Sequence, residues 1–210
     1  MRKSNNICGG SGTRGAVSPD LAALSKLQWA HITHIPYENL DILAGIPLSL
    51  KTEDLFRKIV EGKRGGYCFG LQGLYGELLK ASGFHVTQYS ARFMDEPGIV
   101  QMRRHRVLVV RIGEERYVTD VGIRSESPRI PVKLACGRLQ SDGICEYRFR
   151  QDPFYGWVLC QKERGKQLHS GKRRVSGIPE CKGAAAKKAY GPGRDRQYLK
   201  NIFWLGGIFL

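Results

Sequence analysis

Apolar and polar positions follow two different periods along the chain, and the change of period divides it. Ser18-Pro19-Asp20 reads as an N-cap, a proline at the first helical position and an acid in the first turn. Leu21, Leu24, Leu27 and Ile32 then recur at near-helical spacing, which predicts a helix to about His34. Thr52-Glu53-Asp54 opens a second helix, with Leu55, Phe56, Ile59 and Val60 as its apolar stripe and Gly62 as its stop. A third starts at about Cys68. Its stripe, Leu71, Leu74, Tyr75, Leu78 and Leu79, has the i, i+3, i+4, i+7, i+8 spacing of a buried face and ends at Gly83. Residues 1–83 therefore read as a small helical bundle.

From Phe84 the period drops to two. Strands are expected at Phe84 to Phe93, His105 to Ile112, Arg116 to Ile123, Tyr147 to Phe149 and Gly156 to Leu159, with Gly113-Glu114-Glu115 as a hairpin turn. Helices first and strands afterwards imply an α+β chain, with a sheet domain over residues 84–160. After Leu159 the alternation fails. Residues 161–210 read as a basic, irregular tail, poorly ordered up to about residue 201 and apolar again only from Ile202 to Leu210.

Composition narrows the class. With 210 residues, 41% of them hydrophobic, the chain has enough apolar material for one or two cores. The Ile202 to Leu210 run has nine residues including two glycines, far short of the roughly 18 that a membrane span needs. The polar stretch after Arg2 and Lys3 is no secretory signal, so the expected compartment is the cytoplasm. Six cysteines without a C-x-x-C pair predict reduced thiols and no metal. The net charge of +15 invites a nucleic-acid reading, but +9 of it falls within residues 161–200, where twelve Lys or Arg meet three acids. Only Tyr190 and Tyr198 could stack on bases there, so nucleic-acid binding is disfavoured.

One cysteine stands where chemistry is served. In Arg64-Gly65-Gly66-Tyr67-Cys68-Phe69, Cys68 follows a Gly-Gly entry at the first turn of the third helix, where unpaired N–H groups and a partial positive charge face a thiolate. A lone cysteine is ordinarily a core residue; the helix start weighs against that here. A nucleophilic thiol wants an imidazole base, and the imidazole wants an orienting carboxylate. His105 opens one strand and Asp120 lies on the next. A turn within residues 112 to 115 places Asp120 directly opposite His105 or on the diagonal, on a face shared with Val107 and Val109.

The chain resembles the arylamine N-acetyltransferases through ordered segments over roughly residues 17 to 159: Ile35-Pro36-Tyr37-Glu38-Asn39-Leu40, Arg64 to Phe69, His105, and Thr119-Asp120-Val121-Gly122. The resemblance implies a helical first domain, a β-barrel second domain and a triad on Cys68, His105 and Asp120. It implies acetyl transfer from acetyl-CoA through an acetyl-cysteine to an arylamine or hydrazine, with no metal. By the same carry-over Tyr37, Phe93 and Ile123 wall the amine pocket, and Glu38 and Arg64 form a structural ion pair. Arg103, Arg104, Arg124 and Ser125 take the cofactor. Where the family reads Phe-Gly after Asp-Val-Gly this chain has Ile123-Arg124, so Arg124 either blocks the approach of CoA or supplies a compensating cation. The family's usual C-terminal α/β lid is expected to be missing here, through truncation or a shifted frame. Impaired transfer and self-association through the uncovered surface would follow. A non-catalytic remnant and a thiol hydrolase or transglutaminase-like enzyme with the same triad are the alternatives.

Overall fold

A computed structural model describes residues 18–93, 102–123 and 127–163, and the backbone of 202–206. It divides into two compact units, one containing the described residues up to Tyr89 together with His105–Lys133, the other Ser90–Arg104 and Leu134 onward.

In the first unit, helices α1 (Leu21–His34), α2 (Leu40–Leu43), α3 (Thr52–Phe56) and α4 (Cys68–Ala81) are joined by strands β2 (His105–Ile112), β3 (Glu115–Thr119) and β4 (Val132–Lys133). Strand β1 (His85–Phe93) starts in this unit and ends in the other. The α1 cap is Asp20, whose carboxylate accepts from Ala23 N at 2.8 Å; the sequence reading of Ser18 as cap is corrected by two residues. An acid reaches the orphan N–H groups from that position, so Pro19 lies outside the helix. The α4 stripe is as expected, with Leu71, Leu74, Tyr75, Leu78 and Leu79 all buried. They share one core with Leu24, Leu27, Leu55, Ile59, Leu108, Val110, Tyr117 and Val121. The face of α1 differs from its apolar reading: Leu21 is exposed, while Gln28 and His31 are buried. Gln28 is satisfied there, since its Nε2 donates to Pro128 O and its Oε1 accepts from Thr119 Oγ1 at 2.6 Å.

Strands β2 and β3 form a hairpin closed by the Ile112 and Glu115 pair, so the turn is two residues, Gly113-Glu114. Ladder pairing runs back to Leu108 opposite Thr119. Strand β3 stops at Thr119, four residues earlier than expected. Asp120 thus leaves the ladder one residue beyond its end.

The second unit carries β5 (Leu139–Ser141), β6 (Cys145–Asp152), β7 (Gly156–Glu163) and β8 (Ile202–Gly206). Its antiparallel order is β1, β8, β7, β6, β5, with Ser90 to Phe93 paired to β8. Strand β7 continues through Gln161 to Glu163, beyond the point where the sequence alternation fails. The polar residues there are paired across the ladder with β6. The expected β-barrel is corrected to open sheet: among the described residues neither set of strands closes on itself. Its end strands β4 and β5 have two and three residues, too short to carry the staggered ladder that closure needs.

Cys68, Cys145 and Cys160 are free thiols, whereas Cys136 is disulfide-bonded, which corrects the expectation of six reduced cysteines. The expectation of a disordered tail, for residues 164–201, lies outside the described residues. No helix among the described residues is long and apolar enough to cross a membrane.

Candidate active site

The two sequence segments that carry most of the resemblance are bonded to each other. Tyr37 and Gly66 form a parallel bridge: Glu38 N donates to Gly66 O at 3.0 Å, and Gly66 N to Pro36 O at 3.3 Å. Arg64 Nη2 meets Glu38 at 3.1 Å, as expected, and also Asp41 at 2.8 Å. Lys58 bridges the same two acids at 3.2 and 2.7 Å, a role the sequence reading missed. The amide of Leu40, Lys58 and Arg64 hold Glu38 below its ordinary range although burial acts the other way, and hydrogen bonds from Lys58 and Arg64 do the same for Asp41. This four-charge cluster ties the loop after α1 to the loop before α4.

That second loop delivers Cys68 as the first residue of α4, buried, after a Tyr67 cap residue in extended conformation that makes no side-chain cap. It opens a helix of fourteen residues, so its sulfur lies at the positive end of the helix dipole. His105, at the start of β2, is hydrogen bonded to Cys68. Its Nε2 lies 2.7 Å from Asp120 Oδ2, which leaves Nδ1 as the nitrogen that faces the thiol. Extending the β2 to β3 register puts Asp120 opposite Val107, one diagonal step from His105.

Asp120 is itself held from behind. Its Oδ1 accepts from Gln72 Nε2 at 2.6 Å and from Gly122 N at 2.8 Å, so both oxygens are engaged and only Oδ2 is offered to the imidazole. Burial alone would lower the His105 pKa. The Asp120 charge and hydrogen bond, with those of Cys68, outweigh it and push it up to about 9. Near neutral pH the ring is therefore held as the imidazolium, with one N–H for the carboxylate and the other for the sulfur. Thiol, imidazole and carboxylate form one hydrogen-bonded line capable of moving the sulfur's proton and returning it.

Gln72 and Gly122 are the supporting residues that sequence reasoning missed. Gln72 sits one helical turn beyond Cys68, a spacing that could have pointed to it. A Cβ at Gly122 would fall 3.0 Å from Cys68 Cα and 3.1 Å from its Cβ, so the backbone after Asp120 passes against Cys68 only because residue 122 has no side chain. Gly122→Ala should displace Cys68 by a few tenths of an ångström. Alkylation at Cys68 is expected to slow by about tenfold while the melting temperature falls by only a few degrees; a rate equal to that of the parent chain would mean the contact does not set the geometry.

Of the other residues singled out, Tyr37 is half-buried and Ile123 buried within the same unit as Cys68, with Ile123 N donating to Ser127 Oγ at 2.9 Å. Phe93 ends β1 in the second unit, which also holds Arg103 and Arg104. Burial and the charge of Arg92 draw the Arg103 guanidinium below its usual value. Arg124 and Ser125 lie outside the described residues. No cluster of three or more His, Cys, Asp or Glu that could hold a metal exists among the described residues.

Comparison with known proteins gives one family. A family model described as N-acetyltransferase matches residues 20–188. The arylamine N-acetyltransferase of Mycolicibacterium smegmatis is 38% identical over 145 residues, covering 65% of this chain and 52% of that protein. The Escherichia coli K12 enzyme of the same name is 33% identical over 146 residues, covering 69% and 52%. The solved arylamine N-acetyltransferase of Salmonella typhimurium superposes with a TM-score of 0.74 at 29% identity, over 79% of this chain and 61% of that one. The Mycobacterium marinum enzyme in complex with CoA gives 0.69 at 31% identity, over 74% and 59%. The chain spans about half the length of the curated relatives it matches.

Proposed function

The chain belongs to the arylamine N-acetyltransferase family, and from that premise we propose that Cys68 accepts an acetyl group from acetyl-CoA and passes it to an arylamine or hydrazine. The observation that carries this reading is the line from Cys68 through His105 to Asp120 at the N-terminus of α4.

Each group then has one task. His105, held as the imidazolium, keeps at Nδ1 the proton given up by Cys68 as the sulfur adds as thiolate to the thioester carbonyl, while Nε2–H is donated to Asp120. The tetrahedral adduct collapses with loss of the CoA thiolate, which takes the proton back from the imidazolium, and acetyl-Cys68 remains. A neutral amine attacks that thioester and loses its proton to His105; the Cys68 thiolate leaves and the free enzyme returns. Donor and acceptor thus react in turn at one sulfur, a ping-pong order. A weakly basic aromatic amine suits the second half because it arrives uncharged near neutral pH. Tyr37 and Ile123, in the same unit as Cys68, are the wall residues we assign to the acceptor.

The test is intact mass after incubation with acetyl-CoA, with Cys68→Ala as control. A gain of one acetyl group that needs Cys68 and is discharged by an added hydrazine or aminobenzoate is the expected result. Discharge to water at the same rate without amine would indicate a thioesterase. No acetylation, in a chain whose Cys68 still alkylates rapidly, would end the transferase reading.

A further inference from the structure

Arg106 follows His105 on β2, and its side chain crosses to α4 instead of to an acid. Nη1 donates to the carbonyl oxygen of Phe69 at 3.1 Å, and the guanidinium carbon stands 5.1 Å from the centroid of the Phe69 ring. The residue is 8% exposed, its Nε has no hydrogen-bond partner, and no carboxylate among the described residues pairs with it. A buried cation without a counter-ion is costly, and burial accordingly draws this guanidinium below its usual value. The space it occupies exists because residue 73 is glycine: a Cβ there would lie 2.9 Å from Arg106 Nη1. Glycine weakens a helix interior, so the chain accepts two unfavourable features to keep a charge at this place.

The place is informative. Cys68 and Phe69 are consecutive at the start of α4, His105 and Arg106 consecutive at the start of β2, and the two elements are joined residue by residue: Cys68 to His105, Phe69 to Arg106. The ionisable groups whose negative forms would act on the guanidinium are the Tyr67 hydroxyl and the Cys68 sulfur. We propose that Arg106 is a positioning residue for Cys68: seated in the gap at Gly73, it fixes the first turn of α4 to β2 and holds a permanent positive charge beside the sulfur. The arrangement separates two duties. His105 carries the mobile proton, whereas Arg106 supplies a charge that does not titrate in the working range. This inference rests on the reading of Cys68 as the nucleophile.

A pair of alkylating agents that differ in charge reads that field without any acetyl donor. Rates for anionic iodoacetate and neutral iodoacetamide are measured at the Cys68 peptide by mass spectrometry, from pH 6 to 9, and expressed as a ratio against free cysteine. The parent chain should favour iodoacetate by at least about threefold, a preference that shrinks in high salt. In Arg106→Met the ratio should fall at least about twofold, to the smaller preference left by the α4 N-terminus and His105, and in Arg106→Lys most of it should survive. In Gly73→Ala, where the charge is kept but displaced, it should fall partway. A loss of packing alone would change both rates together and leave the ratio unmoved. An Arg106→Met chain that melts cooperatively and keeps the parent ratio overturns the proposal; if that variant does not fold, an unchanged ratio in Gly73→Ala does so. Failure of acetyl-CoA to acetylate a chain that shows the charge preference would strike the transferase reading and leave the role of Arg106 standing.

Discussion

Asp120→Asn is expected to leave the first unit folded and to slow acetylation or alkylation of Cys68 by about 10³- to 10⁴-fold. The reason lies in which atoms can donate. Asp120 Oδ1 receives hydrogen bonds from Gln72 Nε2 and Gly122 N, and in an asparagine only the oxygen can take that position. The amide nitrogen must then face His105 Nε2, now 2.7 Å from Oδ2. Two donors cannot share that contact, so Nε2 becomes the acceptor and the ring proton moves to Nδ1, the nitrogen that faces Cys68. An imidazole in that tautomer cannot take the thiol's proton. Asp120→Ala should behave differently, because it strands three buried polar groups together with the residual charge of His105. Its expected cost is about 3–5 kcal/mol of stability. Urea unfolding and Cys68 alkylation, measured side by side, separate the two. An Asn variant that reacts within tenfold of the parent chain would show that the sulfur is activated without passing its proton to His105.

The route to that site was legible in part, and the division follows the range of the forces involved. The α4 stripe from Leu71 to Leu79 and the alternation in β2 are local periodicities, and both elements stand where the pattern puts them. A two-residue turn at Gly113-Glu114 fixes the β2 to β3 register, so the nearness of His105 and Asp120 followed from counting residues. Contacts that reach across the chain left no such trace. Gln28 and His31 look like the polar side of α1, and Gln28 is buried because Thr119 and Pro128, about a hundred residues on, satisfy it. Strands β4 and β5 are too short to show a period at all. Asp41 and Lys58 escaped notice because a charge on a short helical turn reads as a solvated face until its partners are in place. Gly73 signals nothing in sequence and Gly122 reads there only as the end of a family segment; each matters for what another element brings within 3.1 Å of a missing Cβ.

Two buried histidines should bend the pH dependence of stability in opposite senses and place its maximum near pH 6.5. His105 is raised to about 9 in the folded chain from an ordinary value of 6.5. The folded state therefore holds a proton that the unfolded state releases, and the resulting stabilisation is whole below pH 6.5 and is lost as pH rises through about 9. His31 is the reverse case. It is 2% exposed and packs edge-on against Tyr75 at 5.3 Å, and neither ring nitrogen has a hydrogen-bond partner. Burial pushes its pKa down to about 3, against a smaller opposing contribution from its own backbone. Below pH 6.5 the unfolded chain takes up a proton that folded His31 refuses, so stability should fall by about 1.4 kcal/mol for each pH unit towards 3. Glu38, Asp41 and Asp152, all held below their ordinary values, add an acid loss of their own, but it begins only near the usual carboxylate range. The window from pH 6.5 to about 4.5 thus belongs to His31. His31→Phe keeps the ring against Tyr75, removes two unpartnered nitrogens and cannot titrate. Its urea midpoint should exceed that of the parent chain at pH 6.5, the gap should widen towards pH 4.5, and the alkaline limb should be unchanged. Parallel curves across that window would mean that His31 takes up its proton inside the folded core. A flattened alkaline limb in the same variant would mean that His31 and His105 are not independent.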